Sequence, residues 1–212
     1  MKIKYVYDFP RPSVTATIGL FVRSTWNSNA EKIILGRRGR KDGAYSGYLC
    51  LPGGFLDAKV DEKDIYAVIG DKFYTIVNWF LDKFIDPIHA MLGSEEREEI
   101  NKLIKPGETV EDAAIREIFE ETGLKIDKSR LELAHVHSNP DTDPRAHVVN
   151  ICYFVMLKPE EAATAVAGDD LEELVIEDLG HVYNHTLAFN HNDLFDRMRE
   201  AVDTKYPDTE DE

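Results

Sequence analysis

The sequence predicts an α/β or α+β sandwich, in which strands in mixed order surround a few helices. Three observations predict this class. Several segments alternate β-branched and small residues as strands do, one charged segment carries its apolar residues at helical spacing, and a second helical segment lies near the end of the chain. The chain has 212 residues, 43% of them hydrophobic, which is enough for a sizeable core. We expect one domain over residues 1–203 and a loose acidic tail over 204–212.

Four segments have the composition of strands. They are residues 13–23, 32–37, 131–137 and 147–157. A short strand is also expected over 48–52, ending at a tight backbone feature where Gly53 and Gly54 follow. The polar run RRGRKDGAYSG, which starts at Arg37, is rich in turn residues and predicts a loop.

Residues 109–122 predict a helix, because their apolar side chains recur at three- and four-residue spacing with charges between them. Thr109 with Asp112 resembles a capping box at its start. Gly123 is the expected stop at its end. Residues 190–203 predict a second amphipathic helix.

Residues 58–105 break this pattern. Their apolar residues recur at helical spacing from Ile65 to Phe84, which predicts one or two amphipathic helices interrupted near Pro87 and Gly93. Two interpretations remain open. The segment is either a structural insertion that packs on the body or on a second subunit of a homodimer, or a lid over a substrate cleft.

The charge of the chain narrows its possible partners. Lys and Arg sum to 25 and Asp and Glu to 40, so the net charge is −15. This surplus disfavours general nucleic-acid binding and favours divalent cations. No apolar run is long enough for a membrane helix, and the N-terminus lacks the apolar core of a signal peptide. Cys50 and Cys152 are too few for a disulfide framework, so we expect buried free thiols and a cytoplasmic protein.

The chemistry is concentrated in the predicted helix 109–122. Glu117, Glu120 and Glu121 stand at positions i, i+3 and i+4, which share one face of a helix. Three carboxylates so close together repel one another, and a divalent cation turns that repulsion into attraction. Mg²⁺ takes oxygen ligands and commonly bridges carboxylates to substrate phosphates. The alternative is a solvated acidic face.

These residues also carry a family resemblance. The stretch from Glu108 through Arg116 to Leu124 resembles the second half of the Nudix box, G-x5-E-x7-R-E-U-x-E-E-x-G-U, where U is a bulky apolar residue. The first half is similar to residues 51–57 (LPGGFLD), followed by 106–108 (PGE). Removing the 48 residues 58–105 restores the spacing of the box.

The resemblance implies a Nudix-type α/β/α sandwich with a mixed sheet and an inserted helical segment. It implies that Glu117, Glu120 and Glu121 bind Mg²⁺ or Mn²⁺, with the backbone carbonyl of Gly53 as a further ligand. It also implies that Arg116 and Glu108 form a structural pair that holds the loop onto the helix.

Nudix enzymes cleave nucleoside diphosphates linked to another moiety, and three further stretches resemble a subgroup that acts on ADP-ribose. They are residues 11–15 (RPSVT), 139–147 (NPDTDPRAH) and 187–191 (LAFNH), the last with Asn190 where the subgroup has Asp. The resemblance favours an ADP-ribose pyrophosphatase. A dinucleotide or NADH pyrophosphatase, a nucleotide-sanitising triphosphatase and a non-catalytic ADP-ribose-sensing module are the alternatives.

Binding two phosphates requires positive charge within an acidic protein. Arg38 and Arg145 are candidates, since arginine grips phosphate bidentately. The alternatives are a solvated loop charge for Arg38 and a turn-fixing role for Arg145. Gly54 is a further substrate-binding candidate. Three aromatic residues are candidates to stack on adenine: Phe9, Tyr48 and Phe55.

Hydrolysis also needs a general base to accept the proton of the attacking water. One of the box glutamates is a candidate. The other candidates are acids of the segment 168–173, namely Asp170, Glu172 and Glu173. The alternative for this segment is a solvated turn entering a helix.

Overall fold

The computed structural model describes residues 12–23, 30–39, 44–57, 107–168 and 170–207. The chain divides into two compact units. The larger comprises Pro12–Leu56 and Thr109–Glu212, and the smaller Met1–Arg11 and Asp57–Glu108. The predicted helices within 58–105, and Phe9, lie outside the described residues. The single-domain boundaries and the tail stay predictions.

In the smaller unit, residues on either side of the predicted insertion lie next to each other. The backbone N–H of Asp57 donates to Glu108 Oε1 at 2.7 Å. The backbone N–H of Glu108 donates to the carbonyl of Asp57 at 3.2 Å. The intervening segment therefore leaves and rejoins the chain at nearly the same point.

Seven strands of the described chain form one mixed sheet. They are β1 (Ser13–Val22), β2 (Lys32–Arg38), β3 (Leu49–Cys50), β4 (Gly53–Phe55), β5 (Glu132–His137), β6 (Val148–Leu157) and β7 (Leu171–Asp178). The order is β3-β2-β1-β6-β5, with β4 paired to β1 and β7 to β2. Strands β1 and β6 run parallel, whereas the other pairs are antiparallel.

Three α-helices accompany the described strands: α1 (Val110–Thr122), α2 (Pro159–Ala162) and α3 (His191–Lys205). The predicted caps of α1 are confirmed. The Thr109 side chain accepts a hydrogen bond from the backbone of Asp112, and Gly123 adopts φ 68° while its N–H donates to Phe119. No helix among the described residues is long and apolar enough to cross a membrane.

The alternation along β1 divides the core between the two faces of the sheet. Ile18 and Leu20 belong to one buried cluster with Ile118 of α1. Phe21 belongs to a second cluster with Phe195 of α3. Since helices cover both faces, the predicted α/β/α sandwich is confirmed. The two cysteines are free and buried, as expected, and burial raises the pKa of each thiol to about 12.

Two local predictions are wrong. Arg38 was expected in a loop, but it is the last residue of β2. The segment after Asp170 was expected to enter a helix, but Leu171–Asp178 forms strand β7 along β2. The glutamates of this half-exposed strand obscure the alternation of apolar and polar residues that would predict a strand. Pairing with β2 stabilises the strand instead, and it includes an ion pair between Arg37 and Glu173 at 2.5 Å.

The predicted end of a strand near Gly53 is confirmed in part. Strand β3 stops at Cys50, but a new strand, β4, begins at Gly53 and pairs with β1. Gly53 has φ 152°, and a Cβ there would lie 2.2 Å from the carbonyl oxygen of Ala16. Only glycine allows the chain to approach β1 so closely.

Candidate active site

A cleft of about 250 Å³ in the larger unit collects most of the predicted site residues. Its lining contains three kinds of side chain. The acids are Glu117, Glu121, Asp143 and Asp170, the basic side chains are Arg38, Arg145, His137 and His191, and the amide and hydroxyl residues are Thr15, Thr17, Thr142, Asn150 and Asn190. Gly53, Gly54 and Phe55 complete the wall beside the acids.

Helix α1 directs two of its three box glutamates into this cleft. Glu117 is 8% exposed and Glu121 is 6% exposed. Glu121 Oε2 accepts a hydrogen bond from the backbone N–H of Gly53 at 2.9 Å. Glu120 is on the exposed side of the helix and pairs with Arg116 at 3.0 Å. The structure therefore brings together Glu117, Glu121 and Gly53, but leaves Glu120 outside the cleft lining.

The cleft disfavours a negative charge on Glu121. Burial raises the pKa of this carboxyl to about 8, and the neighbouring charges of Glu117 and Asp170 act in the same direction. The N–H of Gly53 and the guanidinium of Arg38 oppose them. A carboxyl in this environment gains from any cation that binds it, because the cation removes both the desolvation cost and the repulsion.

The doubled glycine makes room for the acids. A Cβ on Gly54 would lie 2.2 Å from Glu117 Oε1. The carboxylate of Glu117 thus lies directly against the main chain of β4, which no other residue at position 54 would permit without displacement. This packing is the physical reason for a glycine at this point of the box.

Arg116 ties the helix to β4. Its guanidinium donates to Glu117 Oε1 at 2.6 Å, to Glu120 Oε2 at 3.0 Å and to the carbonyl of Phe55 at 3.0 Å. These contacts orient the acids of α1 against the strand that carries the glycines. The pairing of Arg116 with Glu108 stays a prediction.

The donor set fits a hard divalent cation. Glu117 and Glu121 offer buried carboxylate oxygens, and the close approach of β4 places backbone beside them. Oxygen ligands of this kind suit Mg²⁺ or Mn²⁺. The three box glutamates of α1 do not form a compact triple, because Glu120 lies on the exposed side of the helix. Among the described residues the compact group is Glu177, Asp178 and His181, which lies outside the cleft lining and is partly exposed.

Both predicted phosphate-binding arginines line the cleft. Asp143 holds Arg145 through four hydrogen bonds, one from its backbone N–H and three from its guanidinium, the shortest at 2.7 Å to Oδ2. The turn-fixing interpretation of Arg145 is thus compatible with a place in the site. Arg38 donates from Nε to the carbonyl of Ala44 at 3.2 Å.

An aromatic ring supports the two arginines. The guanidinium carbons of Arg145 and Arg38 lie 4.4 and 5.2 Å from the ring centroid of Phe189. Arg145 also lies 5.1 Å from the ring of Phe55. Phe189 has φ 53°, an uncommon conformation for a residue with a side chain. The ring held in this conformation contacts both cations.

His191 forms the floor beside the arginines. Its Nδ1 accepts a hydrogen bond from the backbone N–H of Leu51 at 3.0 Å, so the proton of the neutral ring is on Nε2. Burial, together with the charges of Arg38 and Arg145, lowers the pKa of His191 to about 3, and Asp143 opposes them in part.

The remaining candidates, for the general base and for stacking on adenine, lie partly inside and partly outside the cleft lining. Of the three proposed bases outside the box, Asp170 lines the cleft, whereas Glu172 and Glu173 do not. Of the aromatic candidates within the described residues, Phe55 lines the cleft, whereas Tyr48 packs edge-on against Tyr45 with a centroid distance of 5.5 Å.

Sequence analysis missed the uncharged polar wall and the roles of His191 and Phe189. The wall has a signal in the sequence. Thr15 and Thr17 alternate with buried apolar residues of β1, and Asn150 occupies a core-facing position of β6. A polar residue in the inward register of a buried strand needs a partner, and here that register opens onto the cleft.

Comparison with known proteins points to one family. Residues 102–198 match the model of the NUDIX domain family. The ADP-ribose pyrophosphatase of Methanocaldococcus jannaschii is 43% identical over 97 residues, which cover 45% of this chain and 53% of the relative. The chain thus spans about half the length of the curated relative it matches.

Solved structures show the same fold. The NUDIX domain of Shewanella oneidensis NrtR complexed with ADP ribose is 18% identical with a TM-score of 0.58, and the match covers 92% of each chain. A mutT/nudix family protein from Listeria innocua is 22% identical with a TM-score of 0.57, over 94% of this chain and 100% of the other.

Proposed function

We propose that this chain, whose residues 102–198 match the NUDIX domain family, hydrolyses the pyrophosphate bond of ADP-ribose and releases AMP and ribose 5-phosphate. The coarser reaction is hydrolysis of a nucleoside diphosphate linked to another group. The observation that carries the proposal is one cleft holding a buried acid pair, two arginines and a doubled glycine. The relative named ADP-ribose pyrophosphatase, and the fold neighbour complexed with ADP ribose, support the choice of substrate.

The acids are proposed to hold the metal. Glu117 and Glu121, with Glu120 and the backbone of Gly53, would bind Mg²⁺ or Mn²⁺. When bound, the ion supplies positive charge for the pyrophosphate and lowers the pKa of water. Gly54 lets Glu117 lie flat against β4, and Arg116 keeps the helix and the strand together.

The arginines are proposed to bind the two phosphates. Arg145 is preorganised by Asp143 and Phe189, and Arg38 by Ala44 and Phe189. Fixed guanidinium groups stabilise the charge that develops on the leaving phosphate without reorganisation during the reaction. His191 is neutral at physiological pH because of its lowered pKa, and it offers Nε2–H as a donor beside them.

Asp170 is the proposed general base. It accepts the proton of the attacking water while the new bond to phosphorus forms and the bond to the leaving phosphate breaks. Two backbone contacts position the segment. Gly39 N–H donates to the carbonyl of Asp170 at 2.9 Å, and Gly168 N–H donates to the carbonyl of Glu121 at 3.1 Å.

A substrate panel tests the proposal. ADP-ribose, NADH, a dinucleotide and a nucleoside triphosphate are incubated with Mg²⁺ or Mn²⁺, and the products are identified by chromatography. We expect AMP and ribose 5-phosphate from ADP-ribose as the fastest reaction. Faster cleavage of NADH or of the triphosphate would reassign the substrate, and tight binding of ADP-ribose without turnover would indicate a sensing module.

A further inference from the structure

Three buried polar atoms of the described residues lack a hydrogen-bond partner, and all three belong to residues that line the cleft. They are Thr15 Oγ1, His137 Nε2 and Asn190 Nδ2. Thr15 is only 6% exposed. A buried polar group without a partner destabilises the folded protein, because it gives up its hydrogen bonds to water and gains none in return. Three such atoms in one cleft point to a ligand that supplies their partners.

Two of these residues belong to a row that crosses three neighbouring strands. Thr15 of β1 is paired with Asn150 of β6. Asn150 is paired in turn with His137 of β5. Paired residues point to the same face of a sheet, and neighbouring strands are about 4.8 Å apart, so the row extends over about 10 Å. All three side chains line the cleft.

This row replaces what is elsewhere an apolar surface. Further along the same face of β6, Cys152 and Phe154 belong to the buried cluster that packs against α3. Asn150 takes the same register two residues earlier but is polar, and it accepts a contact from Cys152 Sγ at 3.8 Å. The polar side chains are thus confined to the part of the face that opens onto the cleft.

The chemistry of the three unpartnered atoms, on Thr15, His137 and Asn190, indicates an uncharged, hydroxylated group as their partner. A hydroxyl, an imidazole nitrogen and an amide nitrogen can each exchange a hydrogen bond with an alcohol, which is both donor and acceptor. None of the three atoms carries the fixed positive charge that a phosphate oxygen prefers. Arg38 and Arg145 already provide that charge elsewhere in the cleft.

The row also lies at a suitable distance from the acids. Thr17 of β1 is paired with Gly53, the residue that contacts Glu121. Thr15 lies two residues from Thr17 on the same face, which corresponds to about 7 Å along a strand. A sugar joined directly to the phosphate at the acids would reach this row.

We propose that Thr15, His137 and Asn190 bind the hydroxyl groups of a ribosyl unit attached to the scissile pyrophosphate. The inference rests on the proposed function for the identity of the ligand. ADP-ribose contains two such units, one in the nucleoside and one at the far end. The row selects a sugar phosphate over a phosphate ester that lacks hydroxyls.

Calorimetric titration of the whole protein with three probes tests this without requiring turnover. The probes are ribose 5-phosphate, AMP and inorganic phosphate. The variants are Thr15→Val, which keeps the shape of the side chain, and His137→Phe, which keeps a ring. Thr142→Val is the matched control, because the Thr142 hydroxyl is already engaged with the carbonyl of Asn139 at 3.0 Å. Thermal melting checks that each variant is folded.

Each lost hydrogen bond is expected to weaken sugar-phosphate binding about 3- to 10-fold and to leave phosphate binding unchanged. Thr15→Ser should restore most of the loss. A loss for ribose 5-phosphate assigns the row to the far ribose, and a loss for AMP assigns it to the nucleoside. Unchanged binding of both sugar phosphates, or an equal loss for phosphate, overturns the inference. If Thr15→Val does not fold, His137→Phe carries the test.

These outcomes are separate from those of the substrate panel. If ADP-ribose is not hydrolysed but the row variants still lose affinity for a sugar phosphate, the proposed reaction is rejected and the proposed ribosyl-binding role of the row is kept. If hydrolysis is observed and the variants bind all three probes as the wild type does, the proposed reaction is kept and the ribosyl-binding role of the row is rejected.

Discussion

At the scale of single residues, the site depends on carboxylates placed where water cannot easily reach them. Glu117 and Glu121 are among the buried charged residues, whereas Glu120 remains at the surface with Arg116. The i, i+3, i+4 spacing predicted that the three glutamates share one face of the helix. One side of that face is nevertheless buried and the other is exposed to solvent. Which acid is buried depends on the strand that lies against it.

Replacing Glu121 by Gln should lower kcat by orders of magnitude without unfolding the protein. The amide cannot bind a divalent cation as a carboxylate does, yet its oxygen can still accept the hydrogen bond from Gly53. Since burial already disfavours the charged form of Glu121, the melting temperature should be equal or higher. Turnover and thermal melting are measured together, with Glu160→Gln on the surface of α2 as the control. Near-normal turnover would refute the metal-site assignment.

Replacing Asp170 by Asn should abolish most activity while leaving the protein folded. The expectation follows because an amide cannot accept the proton of the attacking water. Glu172→Gln and Glu173→Gln are matched controls on the adjoining strand, outside the cleft lining. Loss of turnover in either control, with turnover by Asp170→Asn unaffected, would move the general base to β7.

At the scale of elements, the decisive feature is the approach of β4 to α1. The helix was predictable from its spacing and caps, and the structure confirms both of its ends within one residue. Strand β4 has only three residues, two of them glycines, so its own composition does not indicate a strand. Pairing with β1 stabilises it, and Gly54 lies against Glu117 as a result.

Replacing Gly54 by Ala should reduce activity at least about tenfold, because the new Cβ would meet Glu117 Oε1 at 2.2 Å and displace it. Gly180→Ala is the matched control, since a Cβ there has no atom within 4 Å. Steady-state kinetics at several metal concentrations is the measurement. The variant should require more metal for half-maximal activity, and an unchanged metal requirement would argue against a role for Glu117 in binding it.

At the scale of the whole molecule, His191 joins distant parts of the chain. It starts α3, accepts from Leu51 between β3 and β4, and lines the cleft beside Arg38 and Arg145. A parallel bridge between Leu49 and Leu187, with the Ala188 N–H donating to the carbonyl of Leu49 at 2.8 Å, brings β3 next to the residues that precede α3. The homodimer, and the packing of residues 58–105, stay predictions.

This histidine should make the folded protein less stable in acid. The pKa of His191 falls from its ordinary value of 6.5 to about 3 on folding, so between these values the unfolded chain binds the extra proton. The free energy of unfolding should therefore fall as the pH falls below 6.5, by up to about 1.4 kcal/mol per pH unit from this group. His191→Gln should have a flatter profile in urea denaturation from pH 7 to pH 4.5. Parallel profiles for the two proteins would contradict this.

Local patterns were sufficient for the helix α1, four of the strands and the two buried cysteines, and they selected acids, arginines and glycines most of which line one cleft. Periodicity, caps and residue chemistry act over a few neighbouring residues, so a linear sequence contains them. Three features could be identified only from the tertiary structure. They are strand β7, the burial of Glu121 rather than Glu120, and the polar row from Thr15 to His137. Each depends on residues brought together from distant segments, because hydrogen-bond pairing and exclusion of water are properties of the packed sheet and helices.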